Sequence, residues 1–495
     1  MFDPTRRNLL KAVALLPLAA ACAGVADAAG RLLPDTSMQA RFAVFSGQPG
    51  RVVSESLAGL SYETLQLADP AFFSADNHAL VQLFRELSSH GVLRIGGNTS
   101  DYTVWSEYRG ELPVQHTRKG GPQQPFVLKP EALRSLAGFL RATGWKLVFG
   151  VNLKIGVPAM AVELAGAVQR IVGDRLLAIQ VGNEANNYEP DYAAFDAAWT
   201  PYAKAIRAAG VPIAGPDTGA NTDWVIEYAK RHGKESAFIS RHYYRDAAPN
   251  GSIADLLGGD AGFLAEIEQI MQAADAARLP FYLTEANSYY LGGRDGVSNV
   301  FASALWGADF MLALAQRGVA GIHFHGGTLE SVEASLGHDA NTSTASTDPS
   351  ARRDAVTSRY SAIAGDVALG YQPRPLYYGM QLAQRFAGAR MLPGRLDAGG
   401  ASLTAYAARH EDTMQVALIN KDATRDITVE VSGLKGCRSG LLTRLSAPSL
   451  ESRSGVVFDG TGGTAGHPVT IDAHGSCHIA LPRGSAACVQ VNRVV

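Results

Sequence analysis

From residue 57 to residue 327 the chain alternates short, nearly continuous apolar runs with longer stretches in which apolar residues recur every three or four positions. The short runs, at 57–62, 92–96, 146–153, 176–181, 211–214, 237–243, 280–284 and 319–324, predict strands buried on both faces, the habit of parallel sheets. The longer stretches, at 78–89, 130–143, 160–172, 192–209, 263–277 and 299–317, predict amphipathic helices. Eight strand-then-helix units over roughly 300 residues match the size of a (β/α)8 TIM barrel. An open, doubly wound sheet is the rival. It usually carries a glycine-rich phosphate turn after its first strand, and Leu60-Ser61-Tyr62-Glu63 is not one.

The pattern changes twice beyond the eighth strand. Residues 328–374 form a long connection rich in Ser, Thr, Asp and Ala; loops of that length are usually functional or disordered, and this one is placed to roof the open face of a barrel. Residues 375–386 then read as the last barrel helix, with Pro375 in its first turn. From 390 onward the period falls to two, at 402–408, 413–419, 427–431, 469–471, 477–481 and 488–491, which predicts a β-sandwich. Residues 39–45 and 51–54 are also strand-like. A lone hairpin is marginal, so they are expected to complete that sandwich. The expected division is 1–29 export signal, 30–55 N-terminal strands, 56–387 catalytic barrel and 388–495 sandwich.

Composition narrows the partners. A formal net charge of −2 on 495 residues supplies no global field to gather nucleic acid, so an anionic substrate has to be held locally. Arg6-Arg7 before the apolar run 12–21, with Ala26-Asp27-Ala28 as a small-residue cleavage site, predicts a twin-arginine export signal and a periplasmic or secreted protein. That run is too short to span a bilayer, and no later stretch qualifies as an integral membrane segment. After cleavage Cys437, Cys477 and Cys488 remain, enough for one disulfide of unspecified pairing. His474 and His478 fall on a predicted strand and stand roughly 13 Å apart, too far to share an ion. No metal or cofactor is expected.

Catalytic groups of such barrels lie at the C-terminal ends of the strands. Strand four ends in Asn183-Glu184 and strand seven in Thr284-Glu285. The two glutamates face each other across the barrel mouth, as the carboxylate pair of glycoside hydrolysis must. Asn183 is positioned to bond a sugar 2-hydroxyl beside Glu184, which assigns Glu184 as acid/base and Glu285 as nucleophile. A tyrosine from strand six, Tyr243 or Tyr244, and Arg94 from strand two are expected to keep Glu285 ionised. Side chains alternate along a strand, so only one of the two tyrosines should face the pocket. His242 and His325 are read as packed strand-end histidines before ligands.

These motifs, Gly59-Leu60-Ser61-Tyr62-Glu63, Arg94-Ile95-Gly96-Gly97-Asn98, Val181-Gly182-Asn183-Glu184-Ala185-Asn186 and Thr284-Glu285-Ala286-Asn287-Ser288, together resemble glycoside hydrolase family 79, which holds heparanases and related β-glucuronidases. The resemblance runs from about Gln39 to the end. It implies a retaining enzyme acting on glucuronic-acid-containing oligo- or polysaccharides, with endo action on heparan-sulfate-like chains favoured slightly. It also implies that Glu63 and Asn98 face the sugar, and that Tyr290 and the amides of Gly292, Gly293, Gly326 and Gly327 hold the uronate. Gly326-Gly327 lacks the tyrosine that often follows these glycines. Arg118-Lys119, Lys154, Arg245 and Arg294 are candidate sulfate contacts for an endo-acting enzyme. An exo-acting enzyme, a silent carbohydrate-binding relative and an arabinofuranosidase or xylosidase remain alternatives.

Overall fold

The computed structural model describes residues 38–111, 125–340, 348–459 and 466–493. The export segment, Arg118-Lys119 and part of the long connection after strand eight lie outside these residues. Eight parallel strands close into a barrel. In chain order they are Ala58–Glu63, Val92–Gly96, Lys146–Val151, Leu176–Val181, Ile213–Thr218, Ile239–Ala247, Phe281–Tyr290 and Gly321–Gly326, called barrel strands one to eight below. Strands five, six and seven run further than their apolar cores predict. Polar residues such as Asp217, Tyr244 and Glu285 look like strand ends in the sequence, yet they keep the strand geometry while lining the mouth.

The barrel is plugged from below. Val92, Val148, Ala178, Ala214, Phe238 and Tyr282 form a cluster separate from the main core. Above them Gly59 on strand one makes room for the large His323 ring, which a Cβ at that position would meet. Burial, reinforced by the Arg94 charge, pushes His323 down to about 3 and keeps its ring neutral.

Outside the barrel, helix Pro130–Thr143 buries Leu133, Leu136, Phe139 and Leu140 and stops at Gly144, whose φ of +86° suits a residue without a Cβ. Within 328–374, where the sequence predicts only loop, there are helices Leu329–Leu336 and Pro349–Ala355 and a ladder of Ile363–Asp366 with Gly370–Pro373. Helix Pro375–Gln384 begins with proline as expected.

Apart from a short parallel pair, Thr103–Trp105 with Phe126–Leu128, the remaining strands form two sheets that share a core including Phe42, Val416, Leu418, Val429, Val431 and Val489. Met38–Val44 sits inside one of them, parallel to Ile427–Ser432 and antiparallel to Gly394–Asp397. Residues 51–54 do not form the expected strand; only Val52 makes an isolated bridge, to Arg390. Cys437–Ser446, missed because its exposed positions break the alternation, pairs with Ser485–Arg493. Cys437, Cys477 and Cys488 are buried and unbridged.

Barrel and sandwich are joined around helix Ala302–Arg317, which is buried almost all round. Its first N–H groups are taken by sandwich carbonyls: Phe301 donates to Ser452 and Ala302 to Leu450. Midway along it Asp309 accepts from the Tyr406 hydroxyl at 2.7 Å and pairs with Lys421 at 2.6 Å, with only 7% of the lysine side chain exposed. Asp309→Ala leaves that ammonium buried without its counter-charge, a loss of about 3 kcal/mol expected in urea denaturation.

Candidate active site

Arg94 is the centre of the site. Its side chain rises from strand two and is fully buried in the barrel. One terminal nitrogen donates to Glu285 Oε2 at 2.6 Å and to Ser61 Oγ at 3.3 Å. The other donates to Asp217 Oδ2 and to Asn183 Oδ1, both at 2.7 Å. One guanidinium thus ties together residues from strands one, two, five and seven and the end of strand four. Burial opposes its charge, but the facing carboxylates outweigh that and raise its affinity for the proton.

Glu285 stands at the rim on strand seven with 10% of its side chain exposed. Its second oxygen accepts from the Tyr244 hydroxyl at 2.8 Å. Burial alone would raise this carboxyl. The facing imidazoles of His325 and His242, the Arg94 guanidinium and the Tyr244 hydroxyl hold it below the ordinary carboxylate range. Glu285 is held as a carboxylate.

Glu184 is more open, with 21% of its side chain exposed. Its backbone adopts the left-handed conformation, φ 49° and ψ 46°, uncommon for a residue with a Cβ. The Glu184 N–H donates to the Asp217 carbonyl at 2.9 Å, and Asp217 is itself left-handed, φ 56°. The two strained residues hold each other in place. The Glu184 carboxylate accepts from Asn187 at 2.8 Å and lies 2.8 Å from His242 Nδ1.

His242, which the sequence favours as packing, instead bridges two acids. Its Nε2 lies 3.0 Å from Asp217 Oδ1. Asp217 also accepts from Gln180 and Thr284, at 2.7 and 2.6 Å. Burial works against a charged imidazole, but the Asp217 and Glu285 charges raise His242 to about 10. A carboxylate oxygen of Glu184, one of Glu285 and a ring nitrogen of His242 lie within 4.8 Å of one another, the size of a metal-binding triad. Both ring nitrogens of His242 are already engaged, one by Glu184 and the other by Asp217.

The cavity above these groups has a volume of about 380 Å³ and is walled by Glu63, Asn98, Glu184, Glu285, Tyr244, Tyr290, His325, Tyr360, Leu291, Val332, Ser335 and Leu336 among others. Glu63 is fixed by the Thr99 N–H and hydroxyl, at 2.9 and 2.7 Å. Its carboxylate occupies the space where a Cβ of residue 97 would be, which requires Gly97. Asn183 uses its amide oxygen on Arg94 and donates to Asn98 at 3.0 Å. It is therefore spent largely on positioning, where a contact to a sugar hydroxyl is expected from its place in the sequence. His325, the other histidine read as packing, lies 3.4 Å from Glu63 and 3.7 Å from Glu285.

Tyr243 borders the cavity, but its ring is committed elsewhere, and four expected glycine contacts are corrected. Tyr243 turns its ring to the helix layer against Phe263 and Phe310, and its hydroxyl donates to Asp260 at 2.9 Å. Alternation along strand six leaves only Tyr244 facing Glu285. Gly292, Gly293, Gly326 and Gly327 do not wall the cavity; they seat the returning segment 358–361. The Gly292 carbonyl accepts from Arg359 at 2.7 Å and the Gly327 carbonyl from Ser358 at 3.2 Å. A Cβ at Gly293 would meet the Tyr360 nitrogen at 2.6 Å. The segment so held delivers Tyr360, whose ring lies 6.1 Å from that of Tyr244. Tyr360 comes from more than thirty residues beyond Gly326-Gly327 and lines the cavity, which no local motif announces. Asp217 was missed as well, because Gly215-Pro216 reads as the end of strand five.

No family profile matches the chain. It is 25% identical to a β-glucuronidase of Neurospora crassa over 421 residues, covering 74% of this chain and 70% of that protein. It is 23% identical to a β-glucuronidase of Aspergillus niger over 304 residues, 53% of this chain and 55% of that one. Among solved structures it resembles a 4-O-α-L-rhamnosyl-β-D-glucuronidase from Fusarium oxysporum 12S, with a TM-score of 0.73 and 20% identity over 91% of this chain and 99% of the other. It also resembles a GH51 arabinofuranosidase from Xanthomonas axonopodis pv. citri, with a TM-score of 0.64 and 15% identity over 92% and 100%. The structural likenesses establish the TIM-barrel fold.

The charge network has a pH signature. His242 is raised above its ordinary 6.5, so its contribution to stability is complete below that value and is lost as pH rises through about 10. Asp217→Asn removes the largest charge holding it up. The variant is expected to lose stability at a lower alkaline pH than the native chain, and its His242 ring to titrate lower by NMR.

Proposed function

We propose that this chain is a retaining β-glucuronidase-type glycoside hydrolase. The observation that carries the reading is the spacing of the two glutamates. Oxygens of Glu184 and Glu285 within 4.8 Å fall in the short class of carboxylate pairs, near 5–5.5 Å, which leaves no room for an attacking water between Glu285 and the sugar. Glu285 is held ionised by Arg94 and Tyr244 and attacks the anomeric carbon. As the C1–O bond breaks, Glu184 gives its proton to the departing oxygen. Water then enters on the vacated side, Glu184 takes a proton from it, and the C1–Glu285 ester is cleaved. His242 sits beside Glu184 throughout and holds it against Asp217.

The uronate reading rests on similarity to two β-glucuronidases and on the polar cluster of Tyr244, Tyr290, Tyr360 and His325 in the cavity. The hydroxyls of Tyr290 and Tyr360 and the His325 imidazole suit a carboxylate without a lysine, while the Tyr244 proton is already given to Glu285. Neutral sugars of the arabinofuranosidase kind would leave this cluster unused. A sulfated polymer needs cations. Lys154 lies over the Tyr102 and Tyr188 rings at 5.0 and 5.2 Å, Arg245 is paired with Asp255, and no lysine or arginine among the described residues walls the cavity. The substrate favoured is therefore a glucuronide rather than specifically a heparan-sulfate-like chain. Arg6-Arg7 and the apolar run after them support action outside the cytoplasm.

Two experiments test this reading. Glu285→Gln should abolish turnover of 4-nitrophenyl β-D-glucuronide, and NMR of the native reaction should show the β-anomer of glucuronic acid first; an α-anomer would mean inversion. Glu184→Ala should lose about 10²–10⁴-fold in rate on unactivated glucuronides. With activated aryl substrates it should recover in azide, forming β-glucuronyl azide; absence of rescue would remove its acid/base role.

A further inference from the structure

The long connection after strand eight does more than roof the barrel. Its first helix, Leu329–Leu336, presents Val332, Ser335 and Leu336 to the cavity beside Asn98 and Glu63. Val332 and Ser335 are 2% and 5% exposed, so they are packed wall rather than rim. The helix is pinned at both ends. The Thr328 N–H and hydroxyl donate to Gln66 Oε1 at 3.0 and 3.1 Å, and Leu329 N–H donates to the Val356 carbonyl at 2.9 Å. At the other end Asn98 Nδ2 approaches the Ser335 carbonyl at 3.5 Å.

The position of this wall matters because the sugar has a direction. Glu184, the proton donor, must lie beside the glycosidic oxygen on C1, so the leaving group departs on the side of strands four and five, where Asn187, Gly219 and Ala220 line the cavity. In a closed ring of eight strands the position opposite strand four is strand eight. On a pyranose the atom opposite C1 is C4. The C4 hydroxyl of a bound glucuronate therefore points at strands eight, one and two, where the helix stands.

We infer that helix Leu329–Leu336 closes the glycone end of the cleft at the C4 hydroxyl of the bound sugar, which makes the enzyme exo-acting on unsubstituted, non-reducing-terminal glucuronic acid. The inference rests on the β-glucuronidase reading and on the role of Glu184 in it. An internal glucuronic acid carries another sugar on O4, and that sugar would have to occupy the space of Val332 and Leu336. The apolar side chains offer no hydrogen bonds to replace the water such a sugar would lose. The leaving-group side carries small residues, Gly219 and Ala220, and stays open to varied aglycones.

The test compares 4-nitrophenyl β-D-glucuronide with its 4-O-methyl derivative, using the native chain. The parent should be preferred by at least about tenfold in kcat/KM, the scale on which a packed apolar wall discriminates. On an oligosaccharide with glucuronic acid both internally and at the non-reducing end, product sizing should show only free glucuronic acid and a chain one residue shorter. The folded double variant Val332→Ala/Leu336→Ala should narrow the preference. Equal rates on the two aryl substrates, internal fragments from the oligosaccharide, or an undiminished preference in a folded double variant would each overturn the inference and leave the glucuronidase reading standing. No turnover of any glucuronide would instead remove the reading beneath it. Should the variant not fold, the two comparisons on the native chain decide the matter alone.

Discussion

Burying a guanidinium at the centre of a barrel makes a demand that the surrounding strands have to meet. Removed from water, the Arg94 charge is tolerable only with anions at close range and with acceptors on its terminal nitrogens; its buried Nε–H is left without a partner. Glu285 and Asp217 supply the charge, and Asn183 and Ser61 complete the hydrogen bonds on the two terminal nitrogens. Each of these partners is held elsewhere as well. Glu285 is held by Tyr244, Asn183 by Asn98, and Asp217 by Gln180, Thr284 and His242. The result is a rim whose side chains are placed before any substrate arrives, which is the condition for electrostatic catalysis without reorganisation.

The network also explains why two acids so close together can differ in character. Glu285 lies inside the network and faces Arg94 and two imidazoles. Glu184 lies at its edge, reached only through His242 and Asn187, on a left-handed turn that holds it toward the open cavity. One is surrounded by fixed positive charge and hydrogen-bond donors; the other keeps contact with solvent. In the proposed mechanism, nucleophile and proton donor are thus separated by depth in the same pocket.

Support reaches the site from far along the chain. The glycines after strands seven and eight seat the segment 358–361, and the buried Arg374 guanidinium gathers that segment further by donating to the Ser358 carbonyl and pairing with Asp354. Tyr360 and helix Leu329–Leu336 then line the cavity from a stretch that reads as polar loop. The sandwich contributes at one remove, by capping and gripping helix Ala302–Arg317, whose Trp306 and Phe310 pack on Phe324 of strand eight and whose Phe310 also stacks on Tyr243 of strand six.

What the sequence alone determined is the framework and the identity of the two glutamates. Apolar runs of the right length and period specify eight buried strands and their helices, because burial of an apolar face is a local, periodic property. The glutamates are legible because they follow such runs directly, on strands four and seven; Arg94 is legible by the same placement, and the strand-six tyrosine only as one of Tyr243 and Tyr244. Asp217 is not, since Gly215-Pro216 looks like a terminator and only closure of the barrel keeps strand five going. The duties of His242 and His325 are not legible either, because an imidazole takes its role from the carboxylates it meets, and those come from other strands. The glycines show the opposite failure. They were read as anion-binding loops, and only the fold reveals that their bare backbone is occupied by a segment folding back upon it. Tertiary structure decided these matters because each depends on which distant groups share a few ångströms of buried space, a relation that no spacing along the chain encodes.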